Sequence, residues 1–290
     1  MHGAAHAPPE ADRETRWASV GCLELRDFRN FRGLRCDFPA TGVAIVGPNG
    51  SGKTNLLEAI YYLQIFRSFR GAADSELVRF GGEVFRISGE VKGTGDRREL
   101  TAAYGRAERR KKVTIDGAEV GRLVEAIGAL GAVVFSPDDA EIVRGSPARR
   151  RRFLDIVLSL MEPGYVSSLQ RFRAVLAQRN EALRSQAARS VVEAWTDGLV
   201  EWGSRVMASR ARWVARQRER YRGYHATISG GGRGEPIYEP GLGRRPPDRG
   251  GEDAGADAAE VREGELREST EGWAERLRRA LDGAAERERQ

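Results

Sequence analysis

Hydrophobic positions follow two different periods along the chain. Up to Val120 they mostly alternate. Leu23-Glu24-Leu25-Arg26-Asp27-Phe28 predicts a strand, residues 29–33 a turn, and residues 34–38 a second strand. Residues 86–91, 99–104 and 111–115 alternate again. Gly93-Thr94-Gly95-Asp96 and Asp116-Gly117 supply turns between them. Two continuous apolar runs, residues 43–46 and 130–135, also read as strands. Helical spacing takes over elsewhere. It appears at Leu56, Leu57, Ile60 and Leu63, with a short helix predicted over residues 74–80. Beyond Ser146 it dominates. Phe153, Leu154, Val157, Leu158 and Met161 precede a Pro163-Gly164 break. Tyr165, Leu169, Phe172, Leu176 and Leu183 then mark one helix face. Val192, Trp195, Leu199, Trp202 and Val206 mark a heptad-like seam on the next. These two helices are expected to pair as an antiparallel hairpin within a helical lobe. Trp273, Leu277 and Leu281 suggest one last helix.

The stretch between residues 43 and 56 carries the clearest chemistry. Gly47, Pro48, Asn49, Gly50, Ser51, Gly52, Lys53 and Thr54 fit G-x-x-x-x-G-K-[ST], the spacing of a phosphate-binding loop. Glycines let the backbone curl so that N–H groups point inward at phosphate oxygens. The following helix adds its positive end. Lys53 is expected to neutralise the outer phosphates, and the Thr54 hydroxyl to ligate Mg²⁺. Lys occurs only at 53, 92, 111 and 112 in a chain whose bases are otherwise Arg, so a compact point charge at 53 stands out.

Composition narrows the partners. Lys+Arg 48 against Asp+Glu 42 gives +6, which favours a polyanion, although a charged fraction of 31% also suits a salt-bridged surface. Arg106, Arg109, Arg110, Lys111 and Lys112 cluster at one hairpin, as a solvated edge or a nucleic-acid contact. Residues 210–222 are strongly basic, with Trp213, Tyr221 and Tyr224 interleaved. They resemble a nucleic-acid face, although Arg stems also cover apolar surface. Ser136-Pro137-Asp138-Asp139 reads as a helix start rather than as metal-binding acids. Cys22 and Cys36 make no disulfide framework. His2, His6 and His225 support neither a zinc cluster nor a His-based triad. No apolar run nears membrane-spanning length and the first residues lack a signal-peptide core, which reads as a cytoplasmic protein without a membrane partner. Residues 1–20 read as a disordered extension, 21–145 as one domain, and 146–290 as a mainly helical one with a flexible insertion near 241–265.

Several groups in order resemble the RecF family of replication and repair ATPases. They are residues 25–32 (LRDFRNFR), 47–60 (GPNGSGKTNLLEAI), 67–70 (RSFR), 135–139 (FSPDD), Gly145-Ser146-Pro147 and 150–155 (RRRFLD). The resemblance implies an α/β fold, a P-loop ABC-type ATPase head with an antiparallel β subdomain and a helical second lobe. It implies ATP with Mg²⁺, an ATP-dependent homodimer, DNA at single-strand gaps, and the mediators RecO and RecR. It also implies that residues 30–32 lie near the nucleotide. The alternatives are a non-hydrolytic nucleotide- and DNA-binding scaffold, or another head ATPase of the chromosome-maintenance class. The family's signature motif and Walker B acids are not recognisable after Leu199. No catalytic residue is therefore assigned, hydrolysis by this chain is not expected, and exposed apolar surface is.

Overall fold

Six antiparallel strands form the sheet of the first unit, in the order β2-β1-β3-β4-β5-β6. They are β1 (Ser19–Phe28), β2 (Phe31–Asp37), β3 (Val84–Lys92), β4 (Arg97–Gly105), β5 (Arg110–Ile115) and β6 (Ala118–Glu119). The computed structural model describes residues 19–92, 97–242 and 269–287, in two units that meet in sequence at Ser146 and Pro147. Alternation gives the sheet a buried face of Leu23, Leu25, Phe85, Ile87, Leu100, Ala102 and Val113. Helix α1 (Lys53–Ile65) lies on that face through Leu56, Ala59, Tyr62 and Leu63. Phe85 meets Phe28 and Tyr62 edge-to-face, each at 5.4 Å between centroids. The approach is close: a Cβ at Gly89 would sit 2.5 Å from Leu63 Cδ1. The β1–β2 turn is pinned by backbone bonds from Arg29 N–H to Leu77 O and from Arg79 N–H to Asp27 O, both 2.7 Å. Leu77 ends the short helix α2 (Asp74–Leu77).

The two apolar runs depart from the expectation. Residues 43–46 and 130–135 are not strands; they carry no ladder, and Val46, Val133 and Phe135 are almost fully exposed. A strand needs a neighbour for its N–H and C=O groups. Among the described residues nothing ladders with either run. The expected exposed apolar surface is found here. Other differences are smaller. Ser19 and Val20, placed in the N-terminal extension by the sequence, already belong to β1. The predicted turn at residues 93–96, residues 1–18 and most of the insertion near 241–265 lie outside the described residues. Ser136 starts a 3-10 turn over Pro137–Ala140, and Asp139 Oδ2 accepts the Ser136 N–H at 2.7 Å. The acids there act as a cap, as read. Helix α3 (Glu141–Arg144) closes the unit.

The second unit is helical: α4 (Pro147–Met161), α5 (Tyr165–Arg184), α6 (Arg189–Ser229) and α7 (Thr270–Arg287). Helix α6 runs 41 residues, about 60 Å at 1.5 Å per residue. It pairs antiparallel with α5, as Arg179 to Thr196 (2.9 Å) and Arg210 to Tyr165 (3.2 Å) show. Leu199 and Val206 of the seam are buried as expected. On α5, Ala182 is buried in place of Leu183, which is 38% exposed. A second stripe on α6 (Val200, Met207, Ala211, Val214) packs with Tyr238, Trp273 and Leu277. Trp202, a seam position, lies between the guanidinium groups of Arg171 and Arg205, 4.4 and 4.3 Å from its ring. No described helix is long and apolar enough to cross a membrane.

Candidate phosphate-binding site

Residues 47–52 curl into a tight turn that ends on α1. Gly50 (φ 83°) and Gly52 (φ 102°) take left-handed backbone conformations open to glycine. Gly52 is also sterically fixed: a Cβ there would lie 2.7 Å from Asn30 Nδ2 and from Phe31 Cζ. Ser51 N–H donates to Pro48 O at 3.3 Å, and Leu56 N–H to Gly52 O at 3.0 Å, which starts the helix. No side chain caps that helix and no acid lies in its first turn, so its N–H groups and positive end stay available to an anion. Lys53 Nζ donates to Gly47 O and Pro48 O, each at 2.8 Å. Its ammonium thus sits folded over the concave side of the loop. Asn49, Ser51 and Thr54 are exposed, with Thr54 in the first turn beside Lys53.

A polar chain runs from the loop into the unit. Asn30 Nδ2 donates to Ser51 O (3.3 Å), Asn55 Nδ2 to Asn30 Oδ1 (2.8 Å), and Arg70 Nη1 to Asn55 Oδ1 (3.2 Å). Arg70 in turn lies 3.8 Å from Glu58 Oε2. Glu58 is fully buried, and Arg29 holds it with two bonds of 2.9 Å, while Ser68 Oγ donates to Oε1. Arg29 itself has φ 54°, a costly conformation for a long side chain. Sequence reasoning quoted Glu58, Ser68 and Arg70 without giving them a role. The available signal was a carboxylate flanked by Leu56, Leu57, Ala59 and Ile60, a position too apolar for an unpaired charge.

Several members of the basic clusters pair with carboxylates or carbonyls of the same unit, but only Lys111 and Arg210 are largely buried in doing so. Lys111 is only 13% exposed, bonds Asp74 at 2.9 Å and the Phe66 carbonyl, and lies 5.0 Å over the Tyr62 ring. Burial lowers its pKa, against the pull of Asp74. Arg110 and Lys112 share Glu119, both at 3.1 Å. Arg106 donates to the carbonyls of Ser75 and Val78. On α6 the basic run is partly engaged within the molecule, while Arg216, Arg220, Tyr221 and Tyr224 remain exposed. Arg210 is buried against Asp155 (2.6 Å), Arg212 pairs with Glu162 (3.0 Å), and Arg222 pairs with Glu219 and Glu235. An isolated buried guanidinium would be far too costly, so α6 turns Arg210 toward a carboxylate rather than toward solvent. Cys22 and Cys36 are free thiols on adjacent strands, and burial together with Asp37 raises the Cys22 pKa.

With this geometry in view, similarity to known proteins places the chain. Residues 19–131 match the RecF/RecN/SMC N terminal domain. The "DNA replication and repair protein RecF" of a Synechococcus strain is 38% identical over 214 residues, covering 72% of this chain and 56% of that protein. The protein of the same name from Moorella thermoacetica is 35% identical over 228 residues, covering 77% and 61%. A solved structure of the recombination mediator protein RecF-ATP in the RecFOR pathway is similar at TM-score 0.70 and 30% identity, over 74% of this chain and 58% of that one. A second, of the RecF-ATPrS form, gives 0.72 and 26% over 91% and 70%. The fold and its loop define a P-loop ATPase head of the ABC and chromosome-maintenance type, with an antiparallel β subdomain and a helical lobe. Within that class the chain is similar to the RecF proteins above over 72–77% of its own length. It spans less than two thirds of the length of the curated relatives it matches.

Proposed function

We propose that the chain is the nucleotide-binding part of a RecF-like protein of replication and recombinational repair, with ATP held at residues 47–54. The observation that carries this reading is the loop itself. Lys53 lies over the concave turn, and α1 presents an uncapped N-terminus with no acid in its first turn. On binding, the Lys53 ammonium exchanges two neutral carbonyls for phosphate oxygens. The backbone N–H groups of residues 50–54 take the rest of the charge. Thr54 is the residue that would hold Mg²⁺, which shields the phosphates. Asn30 and Phe31 border Gly52, as expected of residues beside the nucleotide. Similarity to proteins named for DNA replication and repair, and to a RecF mediator of the RecFOR pathway, supports DNA as the macromolecular partner and that pathway as the setting. An ATP-dependent homodimer, RecR and RecO complete the proposal, with gapped DNA as the target.

The test is titration with a fluorescent ATP analogue. Lys53→Ala is expected to weaken binding by about 100-fold, near 2.7 kcal/mol. Its melting temperature should change little, since Lys53 bonds only two carbonyls of an exposed loop. Equal affinity in the variant and the parent chain would remove the assignment of residues 47–54.

A further inference from the structure

The outer face of the β-sheet carries a feature that the nucleotide site does not use. The ladder sets Arg26 of β1 directly across from Arg86 of β3. The same row continues through Ala103 of β4 to Lys112 of β5. Like charges directly opposite one another destabilise a sheet, and a carboxylate normally relieves them. Here three of the nearby carboxylates are engaged elsewhere, while Glu99 accepts, among the described residues, only from Thr101 at 3.5 Å. Glu24 is taken by Arg35, Asp27 by Arg79 at 2.7 Å, and Glu119 by Arg110 and Lys112. Among the described residues neither Arg26 nor Arg86 has an ion pair or an acceptor. An open polar cleft of about 270 Å³ lies over this row, floored by Ser88, Thr101 and Thr114, with Glu24 and Glu99 also on its lining. At the arginine end the turn at residues 79–82 packs on Asp27 and holds Phe80 out, 96% exposed.

We propose that this row is a phosphate-backbone track for nucleic acid, with Arg26 and Arg86 as its anchor. The inference rests on the reading above that the protein binds DNA. Three inter-strand steps of about 4.8 Å carry the row from Arg26 to Lys112, about 14 Å, the length of roughly four nucleotide steps of 3.4 Å. Guanidinium forks match phosphate oxygens, the hydroxyls of Ser88 and Thr114 donate along the track, and Phe80 offers a face for a base. That aromatic favours nucleic acid over an acidic peptide.

The experiment measures anisotropy of labelled single-stranded and gapped oligonucleotides across a salt series, with the full chain and its Arg26→Gln/Arg86→Gln variant. The variant is expected to bind at least tenfold more weakly, with a salt slope shallower by about 1.4 for two lost single-strand phosphate contacts. Binding of the ATP analogue should be unchanged, and the melting temperature equal or higher because a like-charge pair is gone. Unchanged DNA affinity and slope in the variant would overturn the track while leaving the DNA reading standing. No DNA binding by the parent chain, with ATP binding intact, would overturn the DNA reading and the track together. Melting at a lower temperature would make the arginines structural and also overturn the track. Polyglutamate that displaces DNA at equal charge concentration would replace nucleic acid by an acidic protein partner.

Discussion

Among the described residues each unit buries one carboxylate in the middle of a helix and holds it with two arginines and a hydroxyl. In the first it is Glu58 on α1, with Arg29, Arg70 and Ser68. In the second it is Asp155 on α4, with Arg210, Arg173 (2.8 Å) and Tyr165 (2.7 Å). The chemistry is alike and the placement is not. The partners of Asp155 sit on α5 and α6, so its bonds clamp three helices. The partners of Glu58 sit on the β1–β2 turn and on the segment after α1, and through Arg70, Asn55 and Asn30 they reach the Ser51 carbonyl. A buried ion pair in a bundle fixes packing. The same device placed between loops fixes the shape of a site.

The sharpest way to break this comparison is to remove each carboxylate. Asp155→Ala leaves the Arg210 side chain, 9% exposed, without its counter-charge, at a cost of about 3–5 kcal/mol. Tryptophan fluorescence reads this directly, since four of the five Trp (195, 202, 213 and 273) lie in the second unit. Glu58→Gln costs less, about 2–3 kcal/mol, because Arg29 keeps 19% exposure and can turn partly to water. Its distinguishing effect is on ligand. Loosening Arg70 and Asn55 frees the Ser51 carbonyl, so affinity for the ATP analogue should fall by about tenfold, near 1.4 kcal/mol. Folded Asp155→Ala protein should keep its affinity. Equal losses of affinity in both variants would erase the difference in role.

Much of this organisation is legible in the residues themselves. Alternation located the strands of the antiparallel sheet, because one wet face and one dry face write a period of two into the sequence. Glycine spacing and Lys53 located the loop, because its shape depends on residue types at fixed steps. The partners in both carboxylate clamps were invisible. Glu58 meets Arg29 across 29 positions and Asp155 meets Arg210 across 55, distances over which sequence carries no period. The same blindness hid the burial of Arg210 within the basic run 210–222, since local charge does not say where a helix turns one arginine. The runs at 43–46 and 130–135 failed differently. Their apolar composition is that of strands buried on both faces, but strand structure belongs to a pair, and neither run has a neighbour among the described residues.

The units should also part company at alkaline pH. Burial, then Asp74, raises the Tyr62 pKa in the first unit. Burial raises those of Tyr165 and Tyr238 in the second, against the pull of Arg210. Each folded phenol keeps its proton where the unfolded one has lost it. Its stabilising share is complete below pH 10 and is lost as pH rises further. At pH 11 the loss is about 1.4 kcal/mol for a tyrosine still protonated when folded. Lys111 works in the opposite sense. Its folded pKa is lowered, so unfolding takes up a proton, and stability rises with pH until the unfolded ammonium titrates near 10.5. The first unit therefore carries the Tyr62 loss and that of the Cys22 thiol, whose pKa is also raised, partly offset by Lys111 on the approach to pH 10.5, and the second carries two tyrosine losses. Between pH 9 and 11, in a Cys22→Ser background that removes the share of the thiol, the urea midpoint read by tryptophan fluorescence should fall about twice as far as that read by amide exchange in β3 and β4. Tyr165→Phe should remove roughly half of the fluorescence shift, and equal shifts in the two units would show that the tyrosines do not set the alkaline limit.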